Sequence, residues 1–169
     1  MSAPSERPFA RRMQAKFMRI VNVPMRVVLG LPVSTPLGRR LMLAFIIGRK
    51  TGKTYRQPVS YVRDGDTLLT PGGGRWKRNL IDGPSVRLRI RGRDVFARAE
   101  LIDNLEEVSR LLSLILASNP SADSFVRVKK DPDGSLNAGD LRNAIKYGFR
   151  IVRWHPNDVP SPAQSSEDC

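Results

Sequence analysis

Seven consecutive apolar residues, Leu41–Ile47, interrupt an otherwise mixed chain and predict a strand buried on both faces. The following pattern is that of a β protein. Pro58–Arg63 reads as a second strand, and the Asp64-Gly65-Asp66 turn leads into a third at Thr67–Thr70. Val86–Arg91 alternates strictly, placing Val86, Leu88 and Ile90 inward and Arg87, Arg89 and Arg91 outward; Gly92 then turns the chain into Asp94–Leu101. The period changes at Leu105–Ala117, where Leu105, Val108, Leu111, Leu112 and Ile115 form a helical stripe behind Asn104, which has Glu107 at capping-box spacing. Beyond Pro120 the pattern predicts a strand at Ser124–Val128, a turn at Asp131–Gly134, a short helix at Leu141–Lys146 and a closing strand at Phe149–Trp154.

Ahead of the strands, Phe9–Val21 is amphipathic. Phe9, Ala10, Met13, Phe17, Ile20 and Val21 fall within about 120° of one another on a helical wheel, opposite Arg11, Arg12, Lys16 and Arg19. Such a helix can lie in a membrane interface or pack its stripe on its own domain. Residues 24–40 carry Pro24, Gly30, Pro32, Pro36 and Gly38 and read as broken helix and loop. These elements predict an α+β, mainly β fold: a small barrel of about six mostly antiparallel strands, with the N-terminal amphipathic helix and one or two packed helices. Residues 1–8 read as a disordered start, 9–156 as a single domain opened by the 9–23 basic helix, and 157–169 as a disordered polar tail.

Charge sharpens this picture. The net charge is +13, and the first 56 residues hold twelve cations against one acid, Glu6. An asymmetry of that size points to a multiply anionic ligand, an anionic membrane surface or nucleic acid. The only cysteine, Cys169, excludes a disulfide framework within the chain and fits a reducing cytoplasm. No stretch approaches the roughly 18 apolar residues of a membrane span, and the N-terminal region matches a signal peptide poorly. The single histidine, His155, and the scattered acids disfavour a histidine metal site or a Ser/His/Asp triad, so no metal is expected. Difficult chemistry then falls to a bound cofactor.

Two constellations suit such a cofactor. Gly48-Arg49-Lys50-Thr51-Gly52-Lys53 is a glycine-bounded cationic turn between two strands, where a backbone bend and counter-charge can meet a polyanion; a solvated hairpin turn is the plainer reading. Gly72-Gly73-Gly74-Arg75-Trp76-Lys77-Arg78-Asn79 offers backbone donors, an aromatic ring and further cations, although its tryptophan could equally plug the core.

In order, these pieces resemble the deazaflavin (F420)-dependent nitroreductase family: apolar strand, Gly48–Lys53, proline-led strand from Pro58, Asp-Gly turn, Gly72–Gly74, Trp76–Leu80, Pro84, then an alternating strand. The resemblance implies a split β-barrel like that of flavin-mononucleotide-binding reductases, and coenzyme F420 as cofactor ahead of FMN. It implies that Arg49, Lys50, Thr51, Gly52, Lys53 and Arg56 hold the phosphate side, with Gln57, Pro58, Val59 and Ser60 along the deazaflavin. Gly73, Gly74, Trp76 and Asn79 would line the opposite wall. The reaction implied is hydride transfer from F420H2 to a quinone, nitro compound or activated alkene, with Ser60, Tyr61 or Tyr147 as hydrogen-bond or proton donor. Alternation puts Ser60 and Tyr61 on opposite faces, and Ser60 is preferred. A peripheral seat on the inner face of the cell membrane through residues 9–23 is compatible with the family. Two other readings compete: a basic barrel that binds nucleic acid through Arg87, Arg89 and Arg91, and a lipid- or cofactor-binding relative without turnover.

Overall fold

The computed structural model describes residues 39–156 apart from 73 and 127. The readings for 1–8, 9–23 and 157–169, and the assignment of Gly73, lie outside the described residues.

Seven antiparallel strands form one curled sheet: β1 (Leu41–Ile47), β2 (Thr54–Ser60), β3 (Val62–Asp64), β4 (Thr67–Gly72), β5 (Val86–Ile90), β6 (Arg93–Ile102) and β7 (Arg150–His155). Their spatial order is β2-β1-β5-β6-β7-β4-β3. The two edge strands, β2 and β3, are therefore consecutive in sequence and separated only by Tyr61, so the sheet has to roll until its edges approach. β6 makes this possible by serving both halves, pairing β5 through Arg93–Ala97 and β7 through Arg98–Ile102. The barrel remains open because β2 is an unpaired edge and β3 covers β4 only as far as Leu69. Each strand beside the gap carries a proline, Pro58 in β2 and Pro71 in β4, which lacks an N–H donor and suits an open edge.

The rolled sheet has two apolar faces. Inside it, Met42, Ala44, Ile46, Val59, Leu68, Leu88, Val152 and Trp154 form the barrel core, and the Trp154 indole N–H donates to Thr70 Oγ1 at 3.0 Å. On the other face of the β4/β7 half lies helix α1 (Leu105–Ser118), which buries Val108, Leu111, Leu112, Ile115 and Leu116. Asn104 caps α1 as its spacing predicts, with its side chain accepting the Glu107 N–H at 3.1 Å. Leu41, Leu43 and Phe45 form a third, small cluster on the outer face of β1.

The structure corrects several boundaries. The second strand begins at Thr54, before Pro58, and breaks at Tyr61 where the chain passes from one edge of the sheet to the other. Ser124–Val128 is not a strand: Pro120–Ala122 forms a 3-10 turn and Asp123–Val126 a helical turn, α2. Pro120 occupies a first helical position, which its fixed φ favours, and this local preference overrides the weak apolar alternation. The predicted helix at Leu141–Lys146 starts earlier, as α3 (Ala138–Lys146), because the Asn137 side chain accepts the Asp140 N–H at 2.9 Å. Among the described residues no helix is long and apolar enough to cross a membrane.

Candidate functional site

The β1–β2 connection is a tight turn. Gly52 and Gly48 N–H groups donate to Gly48 and Lys53 carbonyls, each at 2.8 Å, and Gly52 adopts φ 64°, open to glycine at little cost. Tyr55 folds back over the turn. Its hydroxyl lies 3.2 Å from Thr51 Oγ1, and a Cβ at Gly48 would stand 2.6 Å from its ring. Gly48 is thus required by packing within the turn.

Two bonds tie this turn to the second constellation, thirty residues away in sequence. The Arg49 backbone N–H donates to Asn79 Oδ1 at 3.2 Å, and the Arg49 guanidinium donates to the Arg78 carbonyl at 3.3 Å. Asn79 and Arg78 belong to a 3-10 helix, Arg75–Asn79, where the sequence suggested only a glycine-rich loop. The structure therefore brings together Arg49, Lys50, Thr51, Gly52, Lys53, Gly74, Trp76 and Asn79. Arg49, Lys50, Lys53, Arg75 and Arg78 are all exposed there. Among the described residues no carboxylate pairs with any of them.

The remaining candidates divide by strand register. Arg56, Pro58 and Ser60 lie opposite Phe45, Leu43 and Leu41 on the outer face, whereas Gln57 and Val59 lie opposite Ala44 and Met42 on the inner one. No ligand can meet all of them through side chains; what they share is the open edge of β2. Arg56 is drawn toward the outer face, 5.9 Å from the Phe45 ring centre. Ser60 is half-buried on that face, while Tyr61 is enclosed in the barrel interior, as alternation requires.

Packing shapes the glycine wall in two ways. Trp76 is half-buried against the barrel core, and the glycines make room for it: a Cβ at Gly74, whose φ is 121°, would lie 3.1 Å from the indole. Lys77, grouped above with the ligand-facing cations, turns inward and is only 3% exposed. Its ammonium donates to the carbonyls of Gly72 and Gly148, the latter at 3.0 Å, and so braces the end of β4 against the start of β7. Burial, with a smaller contribution from Arg150, lowers its pKa to about 8. Tyr147, 79% exposed, precedes the braced Gly148 and ends α3 beside this wall.

The arginines of β5 are placed differently. Arg87 and Arg89 pair with Asp94 at 3.2 and 2.6 Å, and Arg87 also stacks 3.8 Å from the Phe45 ring centre. On that face Asp94 is the acid shared by Arg87 and Arg89, while Arg56 and the Phe96 ring opposite Arg87 are exposed.

Residues 12–131 match the family described as F420H(2)-dependent quinone reductase. The chain belongs to that family. It is therefore an oxidoreductase of the F420H2-dependent class. It superposes at TM-score 0.50 on a candidate 5-nitroimidazole antibiotic resistance protein from Bacteroides thetaiotaomicron, with 16% identity over 72% of this chain and 75% of that one. A structure described as a domain-swapped dimer gives 0.50 at 14% identity, covering 81% and 98%. An F420-H2 dependent reductase, FDR-A, gives 0.48 at 14%, covering 69% and 94%. Identities this low speak to the fold alone. No curated protein sequence matches the chain.

The donor set of the reductase fits its family's cofactor. Coenzyme F420 carries a phosphate and an acidic tail, and the turn presents unneutralised cations on a surface fixed by Asn79 and Arg78.

Proposed function

We propose that the chain reduces a quinone with F420H2, holding the cofactor's anionic end at the 48–53 turn and its ring along the open edge of β2. When bound, reduced coenzyme F420 supplies the hydride. The observation that carries this reading is the cluster of Arg49, Lys50, Lys53, Arg75 and Arg78, brought together by the Arg49–Asn79 bond without acidic partners among the described residues. These residues bind and orient. In an exposed setting each cation contributes on the order of 1 kcal/mol to holding a phosphate or carboxylate, and together they fix the direction in which the ring enters.

A quinone that gains a hydride and a proton becomes a hydroquinone, with negative charge building on its oxygen along the way. Ser60 and Tyr147 are the two candidate hydroxyls set on solvent-reachable positions beside the open edge and the braced wall, and we assign acceptor hydrogen bonding to them. Tyr61, at 5% exposure, is a structural residue in this reading. Nitro compounds and activated alkenes remain alternative acceptors, and residues 9–23 would give the protein peripheral contact with the inner face of the cell membrane, where quinones reside.

The test is a fluorescence titration with coenzyme F420 and with FMN, followed by turnover of a short-chain quinone. Lys50-dependent binding of F420 and F420H2-dependent quinone reduction are expected. Absence of F420 binding overturns the proposal. Ser60→Ala and Tyr147→Phe should lower kcat while leaving F420 affinity unchanged; equal turnover in both variants would dismiss the assigned hydroxyls.

A further inference from the structure

The basic turn lies at the C-terminal end of β1. At the other end of that strand, seven residues or roughly 20 Å away, the fold has a second cationic feature, apart from the turn proposed to hold the cofactor's anionic end. A cavity of about 330 Å³ is lined by Arg39, Arg40, Arg63 and Arg91, with Tyr61 and Asn119 among its other walls. Its arginines come from separate places: the approach to β1, strand β3 and the β5–β6 turn. Among the described residues no carboxylate lines it. Among the described residues none of the four guanidinium groups has an acidic partner, in contrast to Arg87, Arg89, Arg150 and Arg153.

Two details distinguish this cavity from a solvated arginine rim. Asn119 is 7% exposed, and its Oδ1 is the only buried side-chain polar atom among the described residues without a hydrogen-bond partner. Its backbone is already used, with N–H donating to the Ile115 carbonyl and carbonyl accepting from Ala122, so the orphaned atom is not required to end α1. Leaving such an atom unmatched is costly, and a ligand donor would match it. The second detail is Arg91, which has φ 50° ahead of Gly92 at φ 79°. Both central residues of this two-residue hairpin are left-handed, a geometry that favours Asn or Gly and that costs an arginine backbone about 1 kcal/mol. The turn nevertheless places an arginine at the cavity. The carbonyl end of α1, at Ser118 and Asn119, carries about half a unit of negative charge, far less than the four guanidinium groups supply.

We infer that this cavity is a second anion site, which takes a phosphate ester bearing a free hydroxyl. Guanidinium forks match the phosphate oxygens, and the hydroxyl donates to Asn119 Oδ1. The volume suits a small organic phosphate or a lipid headgroup. Either source presents the same chemistry.

The experiment titrates the full chain with sn-glycerol 3-phosphate by calorimetry, and separately with vesicles of phosphatidylglycerol in phosphatidylcholine. Arg91→Asn suits the hairpin backbone and Arg63→Gln lies on a short edge strand, so both variants should fold. Binding of either probe is expected, weakened tenfold or more in each variant, more strongly in the double variant, and little changed by Lys50→Ala. Coenzyme F420 affinity should be unchanged in the cavity variants, so failure of this inference and failure of the cofactor reading are read separately. Binding of the soluble ester alone assigns a small metabolite, and binding of vesicles alone assigns a headgroup; both support the site. If neither probe binds, or if binding survives Arg91→Asn with Arg63→Gln, or follows Lys50 instead, the inference is overturned.

Discussion

Two cationic surfaces of this barrel differ in how their charge is used. On β5, Arg87 and Arg89 share Asp94, and the Phe45 ring lies beneath Arg87. Half of their charge is neutralised by that one carboxylate and their stems cover an apolar ring, so they belong to the fold. At the 48–53 turn the cations are at least as dense, but the groups they meet are a carbonyl and an amide rather than carboxylates. Counting arginines and lysines does not separate these surfaces. Counting the acids within reach does, and it points to the turn as the place where a polyanion gains most.

The most severe test of this contrast is charge reversal. Lys50→Glu should weaken coenzyme F420 binding about a hundredfold, or ~2.7 kcal/mol, whereas Arg87→Ala should stay within about twofold; fluorescence titration at low salt measures both. Similar losses in the two variants would erase the distinction.

The Lys77 strut predicts an effect of comparable size, read as stability. Its pKa is lowered to about 8 in the fold from 10.5. The unfolded chain therefore binds more protons at this residue between those values, and stability from this group should rise with pH across that window, by up to about 3 kcal/mol. Lys77→Met should remove that rise in urea unfolding measured at pH 7.5 and pH 10.5. An unchanged difference between the two pH values would show that the ammonium is not held as described.

Asp94 gives the converse experiment. Hydrogen bonding to Arg89, and the charges of Arg89 and Arg87, hold its carboxyl below the usual range. Its stabilising effect is thus present above the ordinary carboxylate pKa and is lost as pH falls through the lowered one. Asp94→Asn should cost about 1 kcal/mol or less at neutral pH, and it should raise heparin retention, because two arginines lose their shared acid. Retention identical to the wild type would mean that Asp94 does not mask this face. The smallest effect on the cofactor is expected from deleting residues 1–23, which should leave F420 affinity unchanged while weakening the binding of anionic liposomes beyond what the cavity variants alone remove. Liposome binding undiminished by the truncation would end the membrane reading.

Much of this was legible from residue order. The bounds of the first strand, the alternation of the fifth, the Asn104 cap and the stripe of α1 follow from periods of 2 and 3.6 and from local capping chemistry, which act between near neighbours. The helical turn at Asp123–Val126 was not legible, since a few apolar residues after a proline suit either state. The direction of Lys77 was obscured by Arg75 and Arg78 beside it. Its burial depends on two carbonyls, one of them 71 residues away.

What the sequence alone determined is the inventory: short strands with a glycine-bounded cationic turn, a glycine–tryptophan segment, a surplus of arginine and the motif order of an F420-dependent reductase. Tertiary structure decided which charges remain available. Whether an arginine meets Asp94, a carbonyl or the wall of a cavity depends on strand register and on how far the sheet rolls. Those contacts join residues tens of positions apart, whose electrostatic coupling no local pattern encodes.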